Sequence, residues 1–311
     1  MQYRTLADLS DLIRNNIHRI PHDVDLLVGI PRSGMLPANM IALFLNKRLT
    51  DIDTFIQGRT YNAGERGQYI NNSPVRKVLV VDDSVATGAA MTLAKNKLAP
   101  LTDKFDFLFM APIVSSCGKD MVDIYCEVID DCRFFEWNVF HHGLLKNACV
   151  DIDGVLNTDP EYDDDGPVYM QFLHNATPLF VPSVPVGTLV TCRLEKYRQP
   201  TEEWLKKYNV LYDNLIMLPF SSKEERLKWG KHGEYKARYY AQSQCILFIE
   251  SSKQQADIIA NISHKHVFCV ETNELIYIPV QKHVTLSKRF RRAVRRRFPD
   301  FYAAIKRFFN I

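Results

Sequence analysis

The sequence lacks the features of a chain that crosses a membrane or folds in an oxidising compartment. No apolar run approaches the roughly 20 residues that a transmembrane helix needs. The first residues, Met-Gln-Tyr-Arg-Thr, are polar and do not resemble a signal peptide. The seven cysteines are odd in number and scattered, and no Cys-x-x-Cys pair suggests a metal site. We therefore expect a cytoplasmic protein with reduced thiols.

Most of the chain has no excess of basic residues. The 311 residues are 46% hydrophobic and 24% charged, which is typical of a globular protein long enough for two domains. The formal net charge is +3, yet residues 288–307 alone contain nine Lys or Arg residues against Asp300. The rest of the chain is therefore net negative, and the basic character belongs to the C-terminal segment.

One stretch, Val78–Met91, carries the strongest chemical signal. Four aliphatic residues predict a buried parallel strand, Asp82 and Asp83 follow it, and a small-residue turn opens a helix. Amides at a helix N-terminus bind a phosphate, and two carboxylates accept hydrogen bonds from adjacent hydroxyls. The pattern therefore indicates a ribose 5-phosphate site; the alternative is an ordinary turn with a solvated aspartate pair.

This stretch resembles the phosphoribosyl-diphosphate (PRPP) motif of type I phosphoribosyltransferases. The resemblance implies that PRPP is bound by the acid pair and the loop behind it, namely Asp82, Asp83, Ser84, Val85, Ala86, Thr87 and Gly88. Further upstream, a predicted strand at 24–30 leads into Pro-Arg-Ser-Gly-Met and a predicted helix over 36–46. In the family such a turn holds the pyrophosphate, which implies roles for Arg32 and Ser33; a turn selected for backbone geometry alone is the alternative.

The other motifs in the first half of the chain indicate a function less specifically. The glycine-containing loop 58–69 offers Arg59 and Arg66 as candidates to neutralise pyrophosphate, although a solvated role for Arg66 stays open. Strands at 105–112 and 122–129 are expected to complete a parallel sheet. No stretch plainly supplies the hood that a nucleobase acceptor needs, so the acceptor stays open. The aromatic segment 134–142, with its histidine pair, is interpreted as a structural joint rather than a metal site.

A second signature begins at Ala148. An apolar strand delivers Asp151 and Asp153 to one end, and Gly154 permits a tight turn. This resembles motif one of the haloacid dehalogenase (HAD) phosphatases, which implies that Asp151 is the nucleophile and Asp153 the general acid and base. The same resemblance implies that Thr191 binds phosphate and that Lys236 neutralises charge. Two aspartates that merely cap a turn, and a solvated Lys236, are the alternatives.

A magnesium ion is implied as the cofactor of this second site. Its expected ligands are Asp151, the Asp153 carbonyl and Glu250, because Mg²⁺ prefers hard oxygens. Glu250 stands where the family commonly has Asp, and Asp257 has no assigned role. The acidic stretch 159–166 is interpreted as a small cap, while Arg193 and Arg198 suit either sugar recognition or a surface charge run.

The C-terminal segment combines aromatic residues at helical spacing with basic residues. An amphipathic helix of this composition favours a membrane surface, where each nearby cation is worth ~1 kcal/mol at an anionic leaflet. Nucleic-acid binding is the rival interpretation and is not expected, because the apolar stripe favours the membrane. Packing of this segment on the rest of the protein is a third interpretation.

Taken together, the chain resembles the dual-domain ribofuranosyltransferases of bacterial surface-polysaccharide assembly. The resemblance implies an α/β protein of two Rossmann-like doubly wound domains. These are a phosphoribosyltransferase fold over 1–143 and a HAD-like phosphatase with a small cap over 144–283, followed by a membrane-associating helical tail over 284–311. It implies transfer of 5-phosphoribosyl from PRPP to a lipid-linked glycan, then removal of the 5-phosphate. Nucleobase salvage fused to a nucleotide phosphatase, and a PRPP-sensing nucleic-acid-binding regulator, are the alternatives.

Overall fold

The computed structural model describes residues 1–61, 64–70, 73–161 and 166–279. The chain divides into two compact units, Met1–Tyr277 and Ile278–Ile311. The predicted tail at 284–311 lies outside the described residues, as do residues 162–165 of the predicted cap at 159–166. Among the described residues, no helix is long and apolar enough to cross a membrane.

The first half of this unit is a parallel sheet with helices between its strands. The strands are β1 (Gln2–Arg4), β2 (Leu26–Gly29), β3 (Arg48–Asp51), β4 (Lys77–Val81), β5 (Ser84–Val85), β6 (Asp106–Val114), β7 (Ile124–Val128) and β8 (Arg133–Phe135). The helices are α1 (Leu6–Asn16), α2 (Met35–Leu45), α3 (Ile52–Ile56) and α4 (Ala89–Leu98).

The order of strands in this sheet brings the two predicted loops side by side. The sheet runs β3-β2-β4-β6-β5, with β7 also pairing with β6, and every pairing is parallel. Strands β2 and β4 are buried along almost their whole length because helices cover both faces. The loops that follow β2 and β4 therefore leave the same edge of the sheet as neighbours.

The second half repeats this architecture around another sheet. Its strands are β9 (Ala148–Val150), β10 (Val186–Leu194), β11 (Tyr212–Leu218), β12 (Leu247–Glu250), β13 (His266–Cys269) and β14 (Glu274–Ile276). Its helices are α5 (Pro167–Asn175), α6 (Arg198–Lys207), α7 (Lys223–Trp229), α8 (His232–Gln242) and α9 (Lys253–Ser263).

The short strand β9 occupies the centre of the second sheet. The order is β11-β10-β9-β12-β13-β14, parallel except for the β13–β14 pair. The carboxyl ends of β10, β9 and β12 consequently meet at one edge. Ser252 caps α9 directly behind β12 by accepting a hydrogen bond from the Gln255 amide at 3.4 Å. This cap begins the helix two residues after Glu250.

The two halves are joined by the chain's first strand and by the segment after β8. Strand β1 pairs with β8, and the Tyr3 ring packs on Phe268 of the second sheet at 5.1 Å between centroids. Beyond β8 the chain forms a 3-10 helix over Glu136–His141. The prediction of an α/β fold with parallel sheets is confirmed; the domain boundaries and the HAD-like assignment stay predictions.

Candidate active sites

The loop after β2, residues 31–35, is called the diphosphate loop; its backbone touches that of the acid pair, Asp82 and Asp83. A Cβ atom placed on Gly34 would lie 2.7 Å from the Val81 carbonyl oxygen and 2.9 Å from the Asp82 Cα. Any side chain at this position would push the two loops apart. Gly34 thus brings Arg32 and Ser33 next to the C-terminal end of β4.

The carboxylate of Asp83 is engaged by two protein donors. Ser33 Oγ donates to Oδ1 at 2.9 Å, and the indole Nε1 of Trp137 donates to Oδ2 at 2.7 Å. In Asp82, Oδ1 accepts a hydrogen bond from the Asp83 amide at 2.9 Å. Among the described residues, Asp82 Oδ2 is the oxygen of this acid pair that accepts no hydrogen bond.

The acid pair is almost completely buried, at 6% and 5% exposure, and this burial affects its protonation. Burial, followed by the charge of Asp83, raises the pKa of Asp82 to about 7. Burial lowers the pKa of the Arg133 guanidinium, and the charge of nearby Asp83 partly opposes this effect. Its Nη2 atom is buried and has no hydrogen-bond partner among the described residues. A cation thus stands beside the acid pair.

The loops around the acid pair present unused amides. Within the described chain, the amides of Arg32, Ser33 and Gly34, and those of Ala86 and Thr87, donate to no protein group. Two features fix the backbone of the loop after β4. Ser84 and Val85 of β5 pair with β6, and Gly88 adopts the left-handed conformation (φ 80°) before α4. Amides gathered at a helix N-terminus suit an anion such as a phosphate.

Arg59 is not joined to either loop. Its guanidinium donates to Gln57, and its carbonyl accepts a hydrogen bond from Thr50 Oγ1 at 3.3 Å. The Arg66 side chain lies outside the described atoms. The structure therefore brings together Arg32, Ser33 and the acid pair, while a role for Arg59 stays a prediction.

The second site is centred on a buried ion group. Lys236 Nζ donates to Asp151 Oδ2 at 2.6 Å and to Glu250 Oε2 at 2.8 Å. The lysine is 2% exposed and the glutamate 0%. Burial lowers the pKa of Lys236, but the two carboxylates outweigh burial and raise it above its ordinary value. For Asp151 burial dominates and raises the pKa to about 7, although Lys236 opposes it.

Asp153 is paired with an arginine that is completely buried. Arg193 Nε donates to Asp153 Oδ2 at 3.0 Å, and Nη2 donates to Oδ1 at 2.5 Å. Arg193 Nη1 donates to Thr201 Oγ1 at 3.3 Å. With the Asn157 amide oriented to satisfy both neighbours, its oxygen accepts from Arg193 at 2.8 Å and its nitrogen donates to Asp153 at 3.2 Å. The carboxylate of Asp153 is therefore held in one orientation.

Thr191 and the Asp153 turn complete this edge. Thr191 lies on β10, is 1% exposed, and accepts a hydrogen bond from the Arg193 amide through Oγ1 at 3.2 Å. Gly154 adopts φ 72°, and a Cβ atom there would lie 2.6 Å from Ser251. The turn after Asp153 thus packs against the end of β12, so that Asp151, Asp153, Thr191, Lys236 and Glu250 share one edge of the sheet.

The charges at this edge do not cancel. Among the described residues, Lys236 and Arg193 are the cations that interact with Asp151, Asp153, Glu250 and the neighbouring Asp159. Burial, Asp153 and Glu250 raise the pKa of Asp159. Across residues 1–61, 64–70, 73–161 and 166–279, no cluster of three or more His, Cys, Asp or Glu side chains is arranged to hold a metal ion. The predicted ligands are two carboxylates and a carbonyl, which suit Mg²⁺, and a divalent cation would balance the excess negative charge.

Other residues singled out from the sequence have structural partners. Arg198 forms ion pairs with Glu195 and Glu202 on the surface. Asp257 pairs with Lys253 along α9. His141 contacts Ser183 Oγ at 2.9 Å, and His142 accepts a hydrogen bond from the Leu144 amide at 3.1 Å.

Two site residues were missed or misjudged from the sequence. Trp137, assigned only to a joint, donates to Asp83 across 54 positions in the chain, and no sequence pattern indicates that contact. Arg193 is not a surface residue. Its position two residues after Thr191 on a strand places both side chains on one face, and this spacing was the available signal.

A family comparison identifies the first half. Residues 3–145 match the family model described as "Phosphoribosyl transferase domain". The matched residues include the whole first sheet, with the diphosphate loop and the acid pair. No curated protein matches the chain.

Solved structures of phosphoribosyltransferases are among the structural neighbours. A purine phosphoribosyltransferase from Pyrococcus horikoshii Ot3 is 16% identical, with coverage of 44% of this chain and 92% of that chain and a TM-score of 0.33. The Helicobacter pylori xanthine-guanine-hypoxanthine phosphoribosyltransferase has the same identity and coverage and a TM-score of 0.34. A Trypanosoma brucei adenine phosphoribosyltransferase is 16% identical, with coverage of 40% and 63% and a TM-score of 0.27.

We expect Asp82→Asn to change how stability depends on pH. The folded pKa of about 7 exceeds the unfolded value near 3.8, so the folded state binds the proton more tightly and wild-type stability falls as pH rises between these values. The loss is at most roughly 4 kcal/mol, at about 1.4 kcal/mol per pKa unit. In thermal unfolding from pH 4 to 8, Asp82→Asn should lose less stability than wild type and than the exposed-site control Asp103→Asn. Parallel curves would refute the assignment.

Replacing Lys236 should destabilise the fold strongly. Lys236→Met leaves Asp151 and Glu250 buried without their cation, and breaking a buried pair costs about 3–5 kcal/mol. The control Lys206→Met removes an exposed lysine of α6 and should change urea unfolding little. Adding Glu250→Gln to Lys236→Met should restore part of the loss. Equal unfolding midpoints for Lys236→Met and wild type would contradict this account of the ion group.

Proposed function

We propose that the chain is a bifunctional enzyme that attaches ribofuranose to a glycan in two steps. In the first, the phosphoribosyl transferase domain moves 5-phosphoribosyl from PRPP to a hydroxyl of the glycan and releases pyrophosphate. In the second, a HAD-like site around Asp151 hydrolyses the 5-phosphate. The product is a ribofuranosyl glycan of a surface polysaccharide resembling O-antigen.

The arrangement of the first site supports the transfer step. The loops after β2 and β4 offer unused amides to the pyrophosphate and the 5-phosphate, and Asp82 Oδ2 accepts a ribose hydroxyl. The bond between C1 and the pyrophosphate oxygen breaks, and pyrophosphate leaves with the electron pair. The acceptor oxygen then attacks C1, which has oxocarbenium character, and loses its proton. Arg133, which interacts with Asp83, and Arg32, in the loop beside the acid pair, would oppose the negative charge of the donor.

The observation that carries the second step is the buried ion group of Lys236, Asp151 and Glu250. A lysine held at 2.6 Å from a strand-end aspartate opposes the effect of burial on the pKa of that carboxylate and aims it for attack on phosphorus, which requires the anionic form. Asp153, two residues on, protonates the departing ribose O5 and then takes a proton from the water that hydrolyses the phosphoaspartate. Arg193 orients Asp153 for both transfers. Magnesium held by Asp151, the Asp153 carbonyl and Glu250 would supply electrostatic stabilisation of the transferring phosphoryl group.

A glycan acceptor accounts for the presence of both sites in one chain. The nucleotide made by a salvage enzyme keeps its 5-phosphate. A phosphatase acting on that nucleotide would remove the phosphate and leave a nucleoside. Ribose transferred from PRPP carries a 5-phosphate. A ribofuranosyl glycan without this phosphate therefore requires a second activity that removes it. Nucleobase salvage remains the second candidate function, because the phosphoribosyl transferase domain alone is consistent with either acceptor.

Asp151→Asn should stop the reaction after the first step. The amide is a poor nucleophile, so glycan treated with PRPP and Mg²⁺ should gain phosphoribose with the variant and ribose with wild type, a difference that mass spectrometry resolves. The exposed control Asp213→Asn should behave like wild type. Continued loss of phosphate with Asp151→Asn would refute the nucleophile assignment, and transfer to nucleobases but to no glycan would favour salvage.

Deletion of 285–311 should release the protein from membranes. The proposed localisation is cytoplasmic and peripheral, with the basic, aromatic tail at the inner leaflet where a lipid-linked glycan resides. Full-length protein should sediment with vesicles containing anionic lipid and dissociate at high salt, whereas the truncated chain should stay in the supernatant. Equal sedimentation of the two proteins would sink this proposal.

A further inference from the structure

A cleft of about 750 Å³ lies next to the donor site and is lined by both halves of the chain. The first half contributes Leu6, residues 136–137 and residues 139–141, and the second contributes 179–181 and residues of β13 and the turn after it. Neither the transfer step nor the phosphatase step as described above uses this cleft. Its volume falls within the range of ligand pockets.

Trp137 connects the cleft directly to the acid pair. Its indole lines the cleft, while its Nε1 donates to Asp83 Oδ2 at 2.7 Å. The ring is fixed by stacking on Phe135, with centroids 4.8 Å apart and planes 10° from parallel. A ligand in the cleft is thus separated from the acid pair by one indole ring.

The wall of the cleft presents aromatic faces to solvent. Phe140 and Phe180 stack at 4.7 Å between centroids with planes 4° from parallel. Phe180 is 46% exposed and its neighbour Leu179 is 45% exposed, although both are large and apolar. Adjacent exposed apolar side chains in the wall of a cleft form the kind of contiguous patch that is found at binding sites.

Hydrogen-bonding groups with free capacity stand beside these rings. Glu136 accepts a hydrogen bond from the Leu6 amide through Oε2 at 2.7 Å, and its Oε1 has no partner among the described residues. His141 uses Nδ1 to contact Ser183, and its Nε2 has no partner within the same ranges. The cleft therefore combines apolar ring faces with one free acceptor oxygen and one free imidazole nitrogen.

We infer that this cleft binds the acceptor sugar of the transfer reaction. The inference rests on the proposed function and assigns its acceptor site. A pyranose has one face of C–H groups that packs on an aromatic ring, and its rim of hydroxyls donates to a carboxylate and exchanges hydrogen bonds with an imidazole. The open, two-sided cleft accommodates more than one sugar ring, as the end of a glycan requires, whereas a single nucleobase would leave most of it empty.

Phe180 offers the sharpest test because its ring is exposed and distant in sequence from the donor loops. Full-length protein would be assayed with PRPP, Mg²⁺ and a panel of octyl glycosides of glucose, galactose, mannose and rhamnose. Phe180→Ala should raise the acceptor KM about tenfold and leave the KM for PRPP unchanged, since only the ring face is lost. Phe180→Tyr keeps the ring and should restore the wild-type KM.

Two controls separate a lost site from a damaged fold. Phe44→Ala removes an equally exposed phenylalanine, 47% on α2, and should change neither KM. Release of phosphate from ribose 5-phosphate should be the same for Phe180→Ala and wild type, because the second site does not include the cleft.

The outcomes distinguish the inference from the function on which it rests. If wild type ribosylates a glycoside and Phe180→Ala does so with an unchanged acceptor KM, the cleft is not the acceptor site and the proposed function stands. If wild type ribosylates no glycoside but consumes PRPP with a nucleobase, the proposed function and the inference both fail. A selective rise in acceptor KM supports the inference.

Discussion

The carboxylate of Asp83 connects the parts of the transferase site. It accepts hydrogen bonds from Ser33 in the diphosphate loop and from Trp137 in the segment between the two halves. Its own amide donates to Asp82. Three segments that are remote in sequence therefore meet at one buried carboxylate, and replacing it would leave two donors unsatisfied. The geometry of the donor site and the wall of the adjoining cleft both depend on this group.

The second site is organised by charge rather than by hydrogen bonds alone. Lys236 lies between two buried carboxylates, and Arg193 holds a third, yet the negative charge at this edge exceeds the positive charge. Burying charges is costly unless they are paired, so such a group is weak evidence for stability and stronger evidence for function. Under the proposed second step Asp151 would be the nucleophile and Asp153 the acid, and a magnesium ion would offset the deficit of positive charge.

Local sequence was sufficient to predict the elements that carry the chemistry. Runs such as Val78–Val81 and Ala148–Val150 become buried parallel strands because their aliphatic residues fit a sheet covered on both faces. Position at a strand's carboxyl end then places Asp82 or Asp151 at the sheet edge. Gly34 and Gly154 also follow this logic, since each occupies a turn where a side chain would collide with a neighbouring loop.

Contacts between distant segments could not be predicted in the same way. The Trp137 to Asp83 hydrogen bond and the Phe140 to Phe180 stack depend on how elements pack in three dimensions, and a single sequence contains no periodicity that records them. For Arg193 the sequence left open sugar recognition or a surface run of charges, and neither interpretation anticipates its buried pair with Asp153. Its burial follows from β10 extending through Leu194.

The central claim is that one chain performs two ordered reactions on the same ribose. Phosphorus NMR of a single reaction containing wild-type protein, PRPP, Mg²⁺ and a glycan acceptor measures both steps at once. Our account predicts that pyrophosphate appears first, that the 5-phosphomonoester signal of PRPP is replaced by that of the phosphoribosyl glycan, which rises and then falls, and that orthophosphate finally equals pyrophosphate. Orthophosphate that appears without a lag and without acceptor, or a phosphomonoester that accumulates unchanged, would contradict it.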